Sequence, residues 1–438
     1  MHISVIGTGY LGATHAACLA STGHHVTGID RDPDQIARLS EGTAPFHEPG
    51  LDRLLREGVD GGCLRFSTDV DAAHDARVHF LCVGTPQQDG TGAADLTALE
   101  RAVDALAPLL DRPCLVVGKS TVPVGTARRL AARLQAAAPA GESVTLAWNP
   151  EFLREGQAVQ DSLRPDRLVF GVADDDADRL LRQVYADAVR AGVPVMRTDL
   201  ETAELAKVSA NAMLASRISL VNLLAEVCEA AGADVADLTG ILGLDSRIGS
   251  QFLSPGLGYG GGCLPKDTRA FVARAEELGV AESAALLREV DAVNQRQRTR
   301  VVESAVAMLG GSAQDARVSV LGAAFKAGSD DVRDSPSLHV AAALEARGAE
   351  IRVYDPQAGE RVRRTQPTLT TSASVEQACR DADLVLVLTE WEEFRGIDPV
   401  ALADVVSHRR VLDGRLLLDP EKWRAAGWEL YALGRGRR

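Results

Sequence analysis

The chain has 438 residues, of which 46% are apolar and 25% charged, with a formal net charge of -14. It is too long for one ordinary hydrophobic core, so two or three domains are expected; its acidity leaves no basic footprint for nucleic acid or for an anionic membrane surface. The residues from Met1 enter a strand at once, with neither a basic segment nor a long apolar one before it. No stretch holds the roughly 20 uncharged apolar residues of a membrane helix, and a cytoplasmic protein is expected. Cysteines 18, 63, 82, 114, 228, 263 and 379 are irregularly spaced, without a Cys-x-x-Cys pair, and the histidines show no ligand spacing. Neither a disulfide framework nor a metal site is expected, and the lack of a Gly-x-Ser-x-Gly elbow leaves serine chemistry unsupported.

Strand and helix signals alternate from the first residues: a strand at 2–6, a helix at 11–21, and strands at 25–29 and 78–83. This is the pattern of a parallel sheet covered by helices. Gly7-Thr-Gly9-Tyr10-Leu11-Gly12 joins the first strand to the first helix. Glycine there keeps the turn tight and lets backbone approach a pyrophosphate lying at the helix N-terminus. Asp30 ends the second strand, where a carboxylate binds a ribose diol and repels a 2'-phosphate. NAD is therefore the expected cofactor, although Arg31 beside it is the residue type that suits NADP; a tight turn without cofactor is the structural alternative. Gly118-Lys119-Ser120-Thr121 imitates the end of a phosphate loop, but Pro113 stands where that motif needs glycine. The segment Asn149-Pro150-Glu151 to Glu155 places two carboxylates after a strand-like run, where capping a helix is as good a reading as chemistry.

Residues 199–242 contain few breakers and space their apolar residues helically, which predicts a long helix plus a shorter one. The segment is expected to connect two halves and to form a dimer surface, the alternative being a helix buried within one subunit. On it Lys207 and Asn211 lie four apart and project from one face, able together to donate to an oxyanion, though such a pair is more often a solvated face. Gly256, Gly258, Gly260, Gly261 and Gly262 then lead into Cys263-Leu-Pro-Lys266-Asp267, with helical pattern expected from Thr268 to Leu278. Such glycine density suits a mobile loop whose backbone passes close to a ligand. A thiol before a helix N-terminus with a lysine nearby is the best nucleophile candidate in the chain. The strand and helix series returns at 317–322, 338–346, 351–355 and 383–389, but Gly322-Ala-Ala-Phe325 lacks the glycine triplet, so the second half should bind something other than a dinucleotide. The expected fold is α/β: two Rossmann-like doubly wound domains, 1–198 and 301–438, joined by a central helical segment, 199–300.

Taken in order, Gly7 to Gly12, Glu48-Pro-Gly-Leu51, Cys82-Val-Gly-Thr85-Pro86, Ser120 to Thr126, Asn149 to Gly156, Gly258 to Asp267, Phe325-Lys326 and Thr389-Glu-Trp391 resemble the UDP-glucose/GDP-mannose dehydrogenase family over nearly the whole length. The resemblance implies oxidation of a sugar CH2OH to a carboxylate, UDP-glucose to UDP-glucuronate, with NAD as cofactor. It implies Cys263 as nucleophile, Lys207 and Asn211 as the oxyanion and proton-transfer pair, Asp267 and Glu151 as the carboxylates that handle water, and Thr121 as the residue that positions it. NAD contacts would fall on Gly7, Gly9, Tyr10, Leu11, Gly12, Asp30, Thr85, Pro86, Thr121, Glu155, Lys266 and Arg333. The nucleotide-sugar substrate would meet Glu151, Phe152, Leu153, Lys207, Asn211, Phe252, Tyr259, Gly260, Phe325, Lys326 and Arg415, with Arg247 supplied across the interface of a homodimer or higher homo-oligomer.

Three positions depart from the family pattern: Gly262 and Leu264, where serine and phenylalanine are usual, and Gln35, often a lysine. They put the choice of nucleobase and sugar in question, so dTDP-glucose, GDP-mannose and UDP-N-acetylhexosamines stand as alternative substrates. Readings outside this chemistry are a non-enzymatic NAD-binding sensor and a two-electron alcohol dehydrogenase that releases aldehyde.

Overall fold

The computed structural model describes residues 1–435. The chain divides into two compact units, Met1–Ala210 with Ala273–Gly279, and Asn211–Val272 with the chain from Val280 onward.

The first unit holds an eight-stranded sheet of β1 (His2–Ile6), β2 (His25–Ile29), β3 (Leu64–Ser67), β4 (Val78–Leu81), β5 (Cys114–Gly118), β6 (Val144–Trp148), β7 (Leu168–Gly171) and β8 (Val195–Thr198). The strands lie in the order β3-β2-β1-β4-β5-β6-β7-β8, parallel except for the antiparallel β6–β7 pair. Period-two alternation sorts the buried side chains to two faces. Leu115 and Val117 of β5 pack with Ala13, Ala16 and Ala17 of α1 (Tyr10–Ser21), while Cys114 and Val116 pack with Leu130 and Leu134 of α2 (Thr126–Ala137). With both faces covered, the central strands carry no polar side. The order reverses between β1 and β4, which places the loops after their C-terminal ends at the crevice where such sheets bind ligands.

In the second unit β9 (Arg317–Leu321), β10 (Glu350–Tyr354), β11 (Thr370–Thr371), β12 (Leu384–Val387), β13 (Arg410–Asp413) and β14 (Glu429–Ala432) form an all-parallel sheet in the order β11-β10-β9-β12-β13-β14. This repeats the order of the first sheet's first six strands. Val318, Leu384 and Leu386 face one core, Leu321, Val385 and Val387 the other.

Helix α3 (Leu200–Ala231) begins in the first unit and continues into the second, followed by α4 (Val235–Gly243), α5 (Leu264–Glu277), α6 (Ala285–Met308) and α7 (Pro336–Glu345). The long helix and the shorter one are those expected from the apolar spacing at 199–242. α3 is long and apolar enough to cross a bilayer by length and composition, yet it carries the buried polar residues Glu204, Lys207, Asn211 and Asn222. Met213, Leu220, Leu223 and Val227 stand exposed along its second-unit part. Helix α5 starts at Leu264, four residues before the expected Thr268. Pro265 does not oppose this, because the first turn needs no N–H from it.

Candidate active site

At the β1–α1 turn, Gly7 adopts a φ of 86°, and a Cβ there would come within 2.9 Å of the Val83 backbone. A Cβ on Gly12 would lie 1.8 Å from the Gly7 carbonyl oxygen, whereas around Gly9 there is open space. The outer two glycines are thus required by the turn itself, and the middle one leaves backbone accessible to a bulky anion at the N-terminus of α1, which has no side-chain cap. Asp30 accepts from the Thr8 N–H at 2.7 Å and from Gln35 Nε2 at 3.1 Å. Gln35, which replaces the usual lysine, therefore orients this carboxylate; Arg31 is exposed. The cradle fits NAD: an open glycine at a helix N-terminus, and a fixed carboxylate at the end of β2.

The residues after Gly9 are stapled to the segment that carries Glu151. Tyr10 donates its hydroxyl to Glu48 in a short hydrogen bond, and the Gly156 N–H donates to the Tyr10 oxygen at 2.9 Å and to Glu48 Oε2 at 2.8 Å. Burial and the Glu48 carboxylate push the Tyr10 phenol well above its ordinary range. Glu48 belongs to a motif visible in the sequence, but its link to Gly156 is tertiary and was not foreseen. Thr85 Oγ1 donates to the Thr121 carbonyl at 2.7 Å, and Ser120 Oγ to that of Val83 at 2.6 Å, which ties together the loops after β4 and β5.

Lys207 pairs with Glu151, and Asn211 with Asp267. Lys207 Nζ lies 2.8 Å from Glu151 Oε1, with side-chain exposures of 6% and 12%, and 5.9 Å from the Phe152 ring. The Leu153 N–H holds the other Glu151 oxygen at 2.5 Å. A second buried cation, Lys119, donates to Asn149 Oδ1 at 3.1 Å and to the Tyr185 hydroxyl at 3.3 Å; burial lowers its pKa to about 8. One turn before Lys207, the Glu204 carboxylate accepts from the Gly125 and Ala127 N–H groups at 2.6 Å each and so caps α2. Neither Lys119 nor Glu204 stood out in the sequence, where one resembled a failed phosphate loop and the other an ordinary helical glutamate.

In the second unit, Cys263 is exposed and immediately precedes α5, whose Asp267 N–H donates to the Cys263 carbonyl at 2.9 Å. The thiol thus stands at the positive end of a helix dipole. Cys18, Cys82 and Cys379 are buried, and burial pushes their thiols up to about 12. Asp267 is buried and accepts from Asn211 Nδ2 at 2.6 Å and from Lys266 Nζ at 2.5 Å. Lys266, expected beside the thiol, therefore has its ammonium engaged by a neighbouring carboxylate.

The glycine loop expected to be mobile is instead pinned and largely buried. Asn222 Oδ1 accepts from the Gly256 N–H, Asn294 Oδ1 from that of Tyr259, and the Arg333 carbonyl from that of Gly261. The glycines are needed for the protein's own packing. A Cβ would meet Asn294 Oδ1 at 2.3 Å from Gly258, the Asp334 carbonyl oxygen at 2.4 Å from Gly260, the Phe325 ring at 2.9 Å from Gly261 and the Arg333 guanidinium at 2.4 Å from Gly262. Gly262, a departure from the family pattern, adjoins only the exposed end of Arg333, which forks onto Asp331 at 2.9 and 2.7 Å and could move aside, so packing does not demand glycine there as it does at Gly260.

Arg415 Nε donates to the Leu388 carbonyl at 2.9 Å and Nη2 to that of Phe325 at 3.3 Å, bridging the loops after β12 and β9; Lys326 Nζ lies 5.6 Å from the Phe325 ring. Tyr259 is buried, Phe252 is 40% exposed with a φ of 59°, and Arg247 is turned back on Asp245 at 2.6 Å. In this second sheet Asp355 occupies the position that Asp30 holds in the first, but it is filled by the N–H groups of Ala323 and Ala324 and by Trp391 Nε1. Asp355 is also buried, where Asp30 is only half-buried, so a ribose has no access to it, which accords with a half that binds something other than a dinucleotide.

Three family models match the chain in order: the NAD binding domain of the UDP-glucose/GDP-mannose dehydrogenase family over residues 1–189, its central domain over 201–296 and its UDP binding domain over 319–420. The chain is 38% identical over 438 residues to UDP-glucose 6-dehydrogenase from Rhizobium meliloti, covering 99% of this chain and all of that one. Its fold is similar to the UDP-glucose dehydrogenase structure from Pyrobaculum islandicum, with a TM-score of 0.91 at 35% identity over 100% and 98% of the two chains. It is also similar to the UDP-D-ManNAc dehydrogenase from Pyrococcus horikoshii, with a TM-score of 0.87 at 28% identity over the whole of both.

Proposed function

The chain belongs to the UDP-glucose/GDP-mannose dehydrogenase family, and on that premise we propose that it oxidises C6 of UDP-glucose to the carboxylate with two molecules of NAD. The observation that carries the reading is the placement of an exposed thiol, Cys263, at the N-terminus of α5 with the buried Asp267 on the same first turn. The Gly7–Gly12 turn and Asp30 would hold NAD, which would supply the hydride acceptor for each oxidation at C6.

The remaining chemistry falls to side chains of this protein. Lys207 donates to the alkoxide as the C6 hydroxyl proton leaves to water held by Thr121 and Glu151, an effect worth about 3 kcal/mol for one well-placed donor. Cys263 adds as thiolate to the resulting aldehyde, and the thiohemiacetal keeps the carbon bound until the second oxidation leaves a thioester. Asp267, oriented by Asn211, or Glu151 takes a proton from water, which adds to the thioester carbonyl. The C–S bond then breaks and Cys263 departs as thiolate. Covalent capture explains how one thiol serves two successive oxidations without release of aldehyde.

We assign the cofactor to residues 1–198, the dimerising helices to 199–300 and the nucleotide to 301–438. Phe252, Tyr259, Phe325, Lys326 and Arg415 serve the nucleotide, and Arg247 the partner subunit's substrate. The apolar face of α3, with Met213 and Leu220 more than half exposed, supports a homodimer, which we assign to the cytoplasm. The similarity to a UDP-D-ManNAc dehydrogenase, together with Gly262 and Leu264 in place of serine and phenylalanine, favours an N-acetylated UDP-hexose as the second reading of the substrate. The variant Cys263→Ser tests the covalent route: it should bind NAD and UDP-glucose while losing carboxylate formation, and ordinary turnover in that variant overturns it.

A further inference from the structure

Glu151 is paired at rest with Lys207 at 2.8 Å, both nearly buried. In the proposed reaction Lys207 turns to the substrate oxyanion, which removes the direct partner of a buried carboxylate. Such a group gains affinity for a proton, and once protonated it no longer activates water. Glu151 also lines a cavity of about 50 Å³ whose other charged and polar walls include Lys119, Asn149, Tyr185, His15, Asp161, which is paired with Arg154, and Asp166 and Arg167, the guanidinium of the last lying over the Phe152 ring. The cavity is large enough for water, which needs on the order of 10–15 Å³ and polar neighbours. His15 points to such an occupant: the residue is 4% exposed, and its Nε2 is buried without a hydrogen-bond partner among the described residues. Lys119, itself buried, contributes a positive charge to this cavity, and its ammonium is oriented by Asn149 and Tyr185.

We propose that Lys119 is a positioning residue for the hydrolytic half of the reaction: across water held in this cavity, its ammonium keeps Glu151 ionised after Lys207 has turned to the substrate. The proposal rests on the function proposed above. Among the groups around Lys119, burial lowers its pKa most, Cys82 and Glu151 raise it, Lys207 lowers it, and the result of about 8 leaves it protonated at neutral pH. His15 is held neutral, chiefly by burial and then by Lys119 itself, and Tyr185 is held protonated by burial.

The test is the pH dependence of thioester hydrolysis in single turnovers of the full-length enzyme with UDP-glucose and NAD, followed by quenched-flow detection of the carboxylate. In Lys119→Met the acidic limb of that profile should move up by about one pH unit, or about tenfold slower hydrolysis on the limb, with a smaller shift of the first burst of NADH, in which Glu151 only holds the water that receives the C6 proton. Tyr185→Phe, which deletes one partner of the ammonium with little change of volume, should move the same limb upward by less; it decides alone if Lys119→Met does not fold. A limb that stays in place in the folded variants overturns the role of Lys119, as does an equal loss of oxidation and hydrolysis with no pH shift. Failure of the wild-type enzyme to yield two NADH strikes the function instead, and the two failures are separable.

Discussion

The Lys207–Glu151 pair offers a quantitative test of the first unit's architecture. Both side chains are close to fully buried and 2.8 Å apart, so removing one partner leaves the other charge uncompensated, at a cost of about 3–5 kcal/mol. The cost should fall at the lower end here, because the Leu153 N–H still holds one Glu151 oxygen and Lys119 supplies a second cation. Lys207→Met is therefore expected to destabilise the first unit by about 3 kcal/mol. Adding Glu151→Leu removes the stranded charge, and the double variant should return to within about 1 kcal/mol of the wild type. Native-state hydrogen exchange at the amides of Cys114–Gly118 and Val144–Trp148 reports opening of this unit without interference from the other. Exchange there should accelerate about 100-fold in Lys207→Met and largely recover in the double variant. Additive losses in the double variant would refute the reasoning, since they would mean the two charges are not each other's compensation.

Glu204 predicts a pH effect of definite sign. Burial raises its pKa from 4.5 to about 7, so its protonated form is favoured by the fold. Its stabilisation is complete below about pH 4.5 and is lost as pH rises through about 7, a change of about 3 kcal/mol. Denaturant midpoints of wild type and Glu204→Gln across this window should differ in slope accordingly, and a wild-type stability that rises relative to the variant contradicts it. Gly262→Ser restores the usual family residue and sets a Cβ 2.4 Å from the Arg333 guanidinium; because that end is exposed and can swing aside, the denaturant midpoint should report a loss below about 1 kcal/mol, and a loss above about 3 kcal/mol would count against this reading. Leu220→Glu places a charge on the exposed apolar face of α3 and should convert the proposed dimer to monomer in sedimentation, whereas a wild-type dimer that the variant leaves intact removes that face from the interface.

The strands at 2–6 and 25–29 are legible as short runs between turn residues, buried on both faces and so without a polar side, and the helical spacing at 199–242 is legible because burial on one face leaves a regular imprint. The expected start of α5, Thr268, lies four residues inside the helix, because Pro265, Lys266 and Asp267 have the composition of a loop, although proline and an acidic residue both suit a first turn. The glycines before Cys263 were legible as a constraint, but not its source: their neighbours, Phe325, Arg333 and Asn294, are distant in sequence, and a loop pinned by them has the composition of a mobile one. Lys119, Glu48 and Glu204 escaped for a related reason. A buried charge follows from tertiary surroundings rather than from local pattern. The one local sign was a lysine directly after the fully buried strand Cys114–Gly118.

The central claim is a four-electron oxidation completed on Cys263, and the most direct measurement is the NADH produced from limiting UDP-glucose, run beside dTDP-glucose, GDP-mannose and UDP-N-acetylhexosamines. Two NADH for each UDP-glucose consumed, with UDP-glucuronate as the product, is the predicted result. One NADH with release of aldehyde, or no reduction with any of these sugars, would contradict it.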